Sequence, residues 1–152
     1  MASNKTVVVR GDVQREEFKT NGTPSPGHLL EIDSSGDVLP HNSAGENMYP
    51  LFALENDLQG DDIDTAYADN VQAQCAWAKP GVMVNAILAD GENVAIGDLL
   101  ESAGDGTLQK YVLDDSSTVH YSNQIVGVAR EAVDMSDSSA ADPAGRVLVS
   151  II

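Results

Sequence analysis

The chain has 152 residues, with 24 Asp and Glu against eight Lys and Arg, giving a formal net charge of −16 and a pI near 4.1. That length suits one domain burying roughly 68 to 70 % of its unfolded surface, and a single cysteine, Cys75, excludes an internal disulfide and a cysteine-based zinc site. Such acidity argues against nucleic acid and anionic lipid as direct partners, because polyanion binding relies on Lys and Arg; no stretch has the length of a membrane span or the pattern of a secretion signal.

The charge is unevenly placed. Lys5, Arg10, Arg15 and Lys19 are opposed by Asp12, Glu16 and Glu17, so the first 20 residues are net +1 and the remaining 132 are net −17. This split points to a near-neutral leading segment able to touch a partner and an acidic body that faces water. Within residues 1–27 the β-branched run Thr6 to Val9 precedes a polar stretch ending in Asn21-Gly22-Thr23-Pro24-Ser25-Pro26-Gly27. The prolines and glycines disfavour helix and central strand. The reading is an extended arm and hinge, or else a loose chain end, followed by one body domain over residues 28–152.

From His28 onward short apolar runs alternate with turn chemistry, the pattern of an all-β protein with little helix, whose body is a compact β-barrel or β-sandwich. His28 to Ile32 and Asp37 to Leu39 flank the reversal Asp33-Ser34-Ser35-Gly36. Leu51 to Leu54 follows Pro50. Asp61 to Asp69 reads as a helical turn or two, with acids suited to its start. Val71 to Ala78 and Val82 to Leu88 both alternate with period two around Lys79-Pro80-Gly81, which predicts a hairpin. In the first of these runs Cys75 reads as a small buried hydrophobe. Val94 to Ser102, Thr107 to Leu113 and Ile125 to Val133 are further extended runs, and Asp134 to Gly145 is a loop rich in Ser, Ala and Asp. The last strand, Arg146 to Ile152, ends on two isoleucines, so Val149, Ile151 and Ile152 are either core or a subunit contact.

Chemistry-bearing motifs are sparse. Ser43 in His41-Asn42-Ser43-Ala44-Gly45 lacks the leading glycine of a nucleophile elbow, and Gly104-Asp105-Gly106 is followed by Gln109 where a dinucleotide motif needs glycine. His28, His41 and His120 have no recognised metal spacing. Asp57, Asp61, Asp62 and Asp64 are hard oxygen donors for calcium, but without the glycine and closing glutamate of an EF-hand they read first as a solvated acidic loop. No catalytic residue, cofactor or metal ligand is assigned, and no enzymatic activity is expected. A β-rich module binding glycans or a host surface, with calcium on that loop, is the alternative, although 5 % aromatic residues argue against a carbohydrate platform.

The run Pro26-Gly27-His28-Leu29-Leu30-Glu31, then Val38-Leu39-Pro40-His41 and Leu51-Phe52-Ala53-Leu54-Glu55, resembles the opening of tailed-phage capsid decoration proteins, also called cement or head-stabilisation proteins. Asp90-Gly91-Glu92-Asn93-Val94, Gly97-Asp98-Leu99-Leu100-Glu101-Ser102, Gly106-Thr107-Leu108 and Ile125-Val126-Gly127-Val128-Ala129 continue the likeness, which spans residues 24–133. It implies a β-rich body with a flexible arm, made in the host cytoplasm and seated as a homotrimer on the outer surface of the virion. There the protein binds the major capsid protein and holds the shell against the pressure of packaged DNA. On that view Thr6, Val7, Val8, Val9, Arg10, Arg15 and Phe18 are the capsid-binding residues of the arm, adding a strand to a sheet edge of the shell.

Overall fold

The computed structural model describes residues 6–114, 116, 118–136 and 145–152; Lys5 and most of the 134–145 loop lie outside them. Strand follows strand through β1 (Val8–Arg10), β2 (Val13–Lys19), β3 (Leu30–Ile32), β4 (Val38–Pro40), β5 (Leu51–Ala53), β6 (Gln72–Ala78), β7 (Met83–Ile87), β8 (Asn93–Val94), β9 (Leu99–Ser102), β10 (Leu108–Lys110), β11 (Ile125–Ala129), β12 (Val133–Asp134) and β13 (Arg146–Ile151). Among the described residues the helical element is a single 3-10 turn, Asp57–Gln59. The all-β expectation therefore holds. The helical turn predicted over Asp61 to Asp69 does not form: Asp62 instead accepts hydrogen bonds from Asp64 N–H and the Thr65 hydroxyl, the local competition by which Asp prefers turns to helix interiors.

Six strands form one antiparallel sheet in the order β1-β7-β13-β11-β9-β10. The sheet curls until Leu108 of β10 bridges Leu88 and Ala89 N–H donates to Leu108 O at 2.8 Å, which closes it as a barrel. Inside lie Val84, Ala86, Leu100, Leu108, Val126, Val147, Val149 and Ile151. β13 is a central strand between β7 and β11, so its alternating valines point into the barrel. Of the two readings of the C-terminus, core burial is correct for Val149 (0 % exposed) and Ile151 (2 %), whereas Ile152 remains on the surface (59 %).

A second sheet, β2-β6-β5, lies against the barrel. Its two faces feed two cores, which is why β5 is buried throughout: Phe52 packs with the barrel residues, and Leu51 and Ala53 pack with Leu30, Val38, Tyr67, Ala73 and Cys75. β6 divides the same way, with Ala76 and Ala78 on the barrel side. Burial pushes the Cys75 thiol up to about 12, as befits a small core hydrophobe. The predicted reversal at Asp33 to Gly36 pairs β3 with β4, with Asp33 accepting from Ser35 and Asp37 N–H.

Two expectations are overturned together. β6 and β7 are strands but not a hairpin: at Lys79-Pro80-Gly81 the chain leaves one sheet for the other, because β6 is flanked by β2 and β5 while β7 is flanked by β1 and β13. The N-terminal segment bends with it. β2 pairs with β6 along seven residues, Val13↔Ala78 to Lys19↔Gln72, and β1 pairs with β7 through Val8↔Val84. Gly11, at φ +98°, makes the turn where a Cβ would press on Val82 at 3.0 Å. Residues 8–19 are thus a ribbon built into both sheets, not an arm. Val7 is wholly buried in the barrel core, its N–H donating to Glu55 at 2.9 Å and its carbonyl accepting from Asn85 N–H. The physical reason is cohesion: Val7, Val8, Val13 and Phe18 find apolar partners in the chain's own sheets, while Val9 stays exposed.

Candidate interaction surface

Of the residues assigned to the arm, Val7 belongs to the core, Val8 and Phe18 are half-buried against it, and Thr6, Val9, Arg10 and Arg15 are exposed. What the ribbon offers a partner is the outer edge of β2. Ala78 N–H donates to Pro50 O and Leu54 N–H to Gln74 O, each at 2.8 Å, so the even-numbered backbone groups of β6 face β5. Its odd-numbered groups, at Ala73, Cys75 and Trp77, face Phe18, Glu16 and Gln14. By alternation the N–H and C=O of Arg15 and Glu17 point away from the sheet. Among the described residues β2 pairs with β6 alone, and Arg10 and Arg15 make no ion pair there. Glu16 is held inward by the Trp77 indole, whose N–H donates to its carboxylate at 2.8 Å.

A second surface was not anticipated. Tyr111 N–H donates to Leu99 O at 2.8 Å, carrying Val112 and Leu113 past the end of β10, while Ile96 lies just before the paired β9. Ile96, Val112 and Leu113 are each at least 70 % exposed, and the nearby charges Lys110 and Asp98 satisfy one another at 3.1 Å. These three exposed apolar side chains, at the ends of the paired strands β9 and β10, form a candidate rim bordered by that ion pair and by Asp114, on a molecule of net −16. The signal lay in the run Thr107 to Leu113, whose last residues read as strand interior and in fact overrun it.

His41 and Ser102 are enclosed together. His41 Nε2–H donates to Asn47 O at 3.0 Å, leaving Nδ1 to accept from the Ser102 hydroxyl at 2.7 Å, while Ser102 Oγ accepts from Gly104 N–H. Ser102 has no exposed surface and His41 only 3 %. The pair pins the turn after β9 onto the segment after β4. Glu101 is likewise held by the amides of Gln109 and Gln124. Among the described residues no three His, Cys, Asp or Glu side chains gather as a metal-binding group; of the suggested calcium donors, Asp62 serves Asp64 N–H and Thr65 and Asp64 lies 3.9 Å from Arg146.

His28 gives this end of the molecule a pH dependence. Its Nδ1 accepts from Ser25 N–H at 3.0 Å. Burial lowers its pKa, Asp105 partly opposes the shift and Arg146 adds to it. The unfolded chain takes up a proton near pH 6.5 that the folded one resists, so stability falls as pH drops through about 6.5 and levels off below the folded-state value. His28→Asn, which keeps an acceptor for Ser25, should show a smaller loss of melting temperature between pH 7.5 and pH 5 than the parent.

No family model matches the chain, and no curated protein matches it. Among solved structures the fold is similar to the crystal structure of the N base of head fiber gp8.5 in bacteriophage phi29. The TM-score is 0.56 and the identity 14 %, over 93 % of this chain and 95 % of that one. At that identity the likeness is one of fold, spanning nearly the whole of both chains.

Proposed function

We propose that this protein is a structural component of a tailed-phage head, a decoration or cement protein seated on the outer surface of the virion and without catalytic activity. The observation that carries this reading is the end-to-end fold similarity to the base of a phage head fiber. The resemblance of the ordered strings between residues 24 and 133 to decoration proteins points the same way. The partners are the major capsid protein and further copies of this chain as a homotrimer; the strongly acidic exterior keeps crowded particles apart.

The built-in ribbon changes how such a protein binds. A loose arm pays about 1–2 kcal/mol per residue to become ordered, whereas a preformed rim on a barrel pays none of that. The rim of Ile96, Val112 and Leu113 is the surface assigned to the shell, and three rims on a trimer raise avidity over one contact by roughly 10² to 10⁴. Covering one such side chain contributes about 1.5–3 kcal/mol, or at least roughly tenfold in affinity. The double substitution Val112→Asp, Leu113→Asp should therefore abolish co-sedimentation with phage heads assembled without the protein, while its thermal midpoint stays with the parent. Equal sedimentation of variant and parent would remove the rim from the mechanism; failure of the parent itself to bind heads would remove the proposed function.

A further inference from the structure

An open strand edge invites pairing, and proteins usually guard such edges with charge. The guard on β2 is unusual for this chain. With 24 acidic residues available, a one-sign edge would repel every other copy, yet β2 reads Val13-Gln14-Arg15-Glu16-Glu17-Phe18-Lys19, with opposite charges at the two central positions whose backbone groups point outward. Set antiparallel to itself about Glu16, the strand brings Arg15 opposite Glu17 of the other copy and Glu17 opposite its Arg15. Both are positions where N–H and C=O are free to exchange hydrogen bonds across the pair. Moving the register by two residues in either direction places Arg15 opposite itself, or Arg15 opposite Lys19 and Glu17 opposite itself. A move of four would set Glu17 opposite Lys19, but at that end the Thr20–Val38 bridge already covers the edge and Lys19 lies 3.9 Å from Asp37, so the register about Glu16 is the one that the open part of the edge supports in both backbone and charge.

We infer that the β2 edge is a self-association surface, which joins two copies about a two-fold axis at Glu16 into one sheet running β5-β6-β2 and on through β2-β6-β5 of the second copy. A contact of this kind is isologous, each copy giving the same patch, and goes beyond head binding without depending on it. The like-charge meeting on the axis is moderated by Trp77, whose indole N–H draws the Glu16 carboxylate back over β6 at 2.8 Å. Segment 8–19 carries Arg10, Arg15 and Lys19 against Asp12, Glu16 and Glu17, so the ribbon is neutral and adds no repulsion of its own. The remaining acidity sets the ionic-strength dependence: screening to about 8 Å at physiological salt favours the pair, and low salt dissolves it.

The test is sedimentation equilibrium of the full chain at physiological salt over a concentration series. The parent should show a mass that doubles with concentration, from one chain to two or, where the proposed trimer forms, from three to six. Arg15→Glu alone and Glu17→Arg alone each turn two attractive cross-strand pairs repulsive and should weaken association by roughly tenfold, while the double swap, R15E with E17R, restores it. Glu16→Gln should strengthen it, since the amide oxygen still accepts from Trp77. Glu17→Pro removes an outward N–H that β6 does not use, so it should keep the parent's circular dichroism and lose association. Hydrogen exchange at the Arg15 and Glu17 amides should slow with rising concentration and that at Gln14 and Glu16 should not change. An assembly whose mass ignores both single swaps, a mass that does not rise with concentration, or a β2 edge occupied only by a strand of the shell protein would each overturn the inference.

Discussion

A chain lacking residues 2–23 is expected not to fold. Had these residues formed a tether, their loss would leave the body intact; instead it removes β1, all of β2 and the buried Val7. The ladder on β6 runs over seven residue pairs, each hydrogen bond contributing about 0.5–1.5 kcal/mol net. Burial of Val7 adds about 1.5–3 kcal/mol, and Phe18 and Val13 add part of the same again. Together these approach the whole stability of a typical domain, about 5–15 kcal/mol. The cut would also strip β6 of one of its two partners and leave the backbone groups of Ala73, Cys75 and Trp77 without theirs. Far-ultraviolet circular dichroism and one-dimensional proton NMR decide the matter: the truncated chain should be aggregated or show no dispersed methyl signals, and a folded, soluble product would mean that the ribbon is dispensable.

The second large effect is expected at Phe52. It is the bulkiest wholly buried side chain, and it projects from β5 into the barrel core while its neighbours Leu51 and Ala53 enter the other core. Phe52 is therefore a bolt between the two sheets. Phe52→Ala should cost about 3–5 kcal/mol, which for a chain of this length lowers the melting temperature by roughly 6–20 °C. Leu58→Ala, at a side chain 76 % exposed, should move stability by no more than about 0.5 kcal/mol. Urea titration of both variants checks the contrast. If the two were alike, Phe52 would not be joining the sheets.

Local pattern made most strands legible and left their pairing obscure. Alternation in Val147, Val149 and Ile151 marked a strand with one buried face, and Asp33 to Gly36 marked a reversal, because both depend on neighbours in sequence. Lys79-Pro80-Gly81 marked a turn equally well, but the same turn serves a hairpin or a corner between sheets, and the choice was made by partners far away in sequence, β1 and β2 upstream and β13 downstream. β2 was hidden for a different reason. An edge strand exposed on much of both faces needs few apolar residues, so Gln14 to Glu17 reads as polar linker, and only Val13 and Phe18 betray its contact with the cores. The enclosed pair His41 and Ser102 lies 61 positions apart, beyond any motif. The rim at Val112 and Leu113 was visible as apolar residues but not as surface, since composition does not tell which end of a run escapes the sheet.

Image reconstruction of phage heads carrying the protein, beside heads assembled without it, tests the proposed role most directly. The account predicts extra density on the outer surface into which the barrel fits whole, with residues 8–19 paired to β6 and β7 and the end holding Ile96, Val112 and Leu113 set against the shell. Heads indistinguishable with and without the protein, or density showing residues 8–19 pulled from the barrel and laid along the capsid, would contradict it.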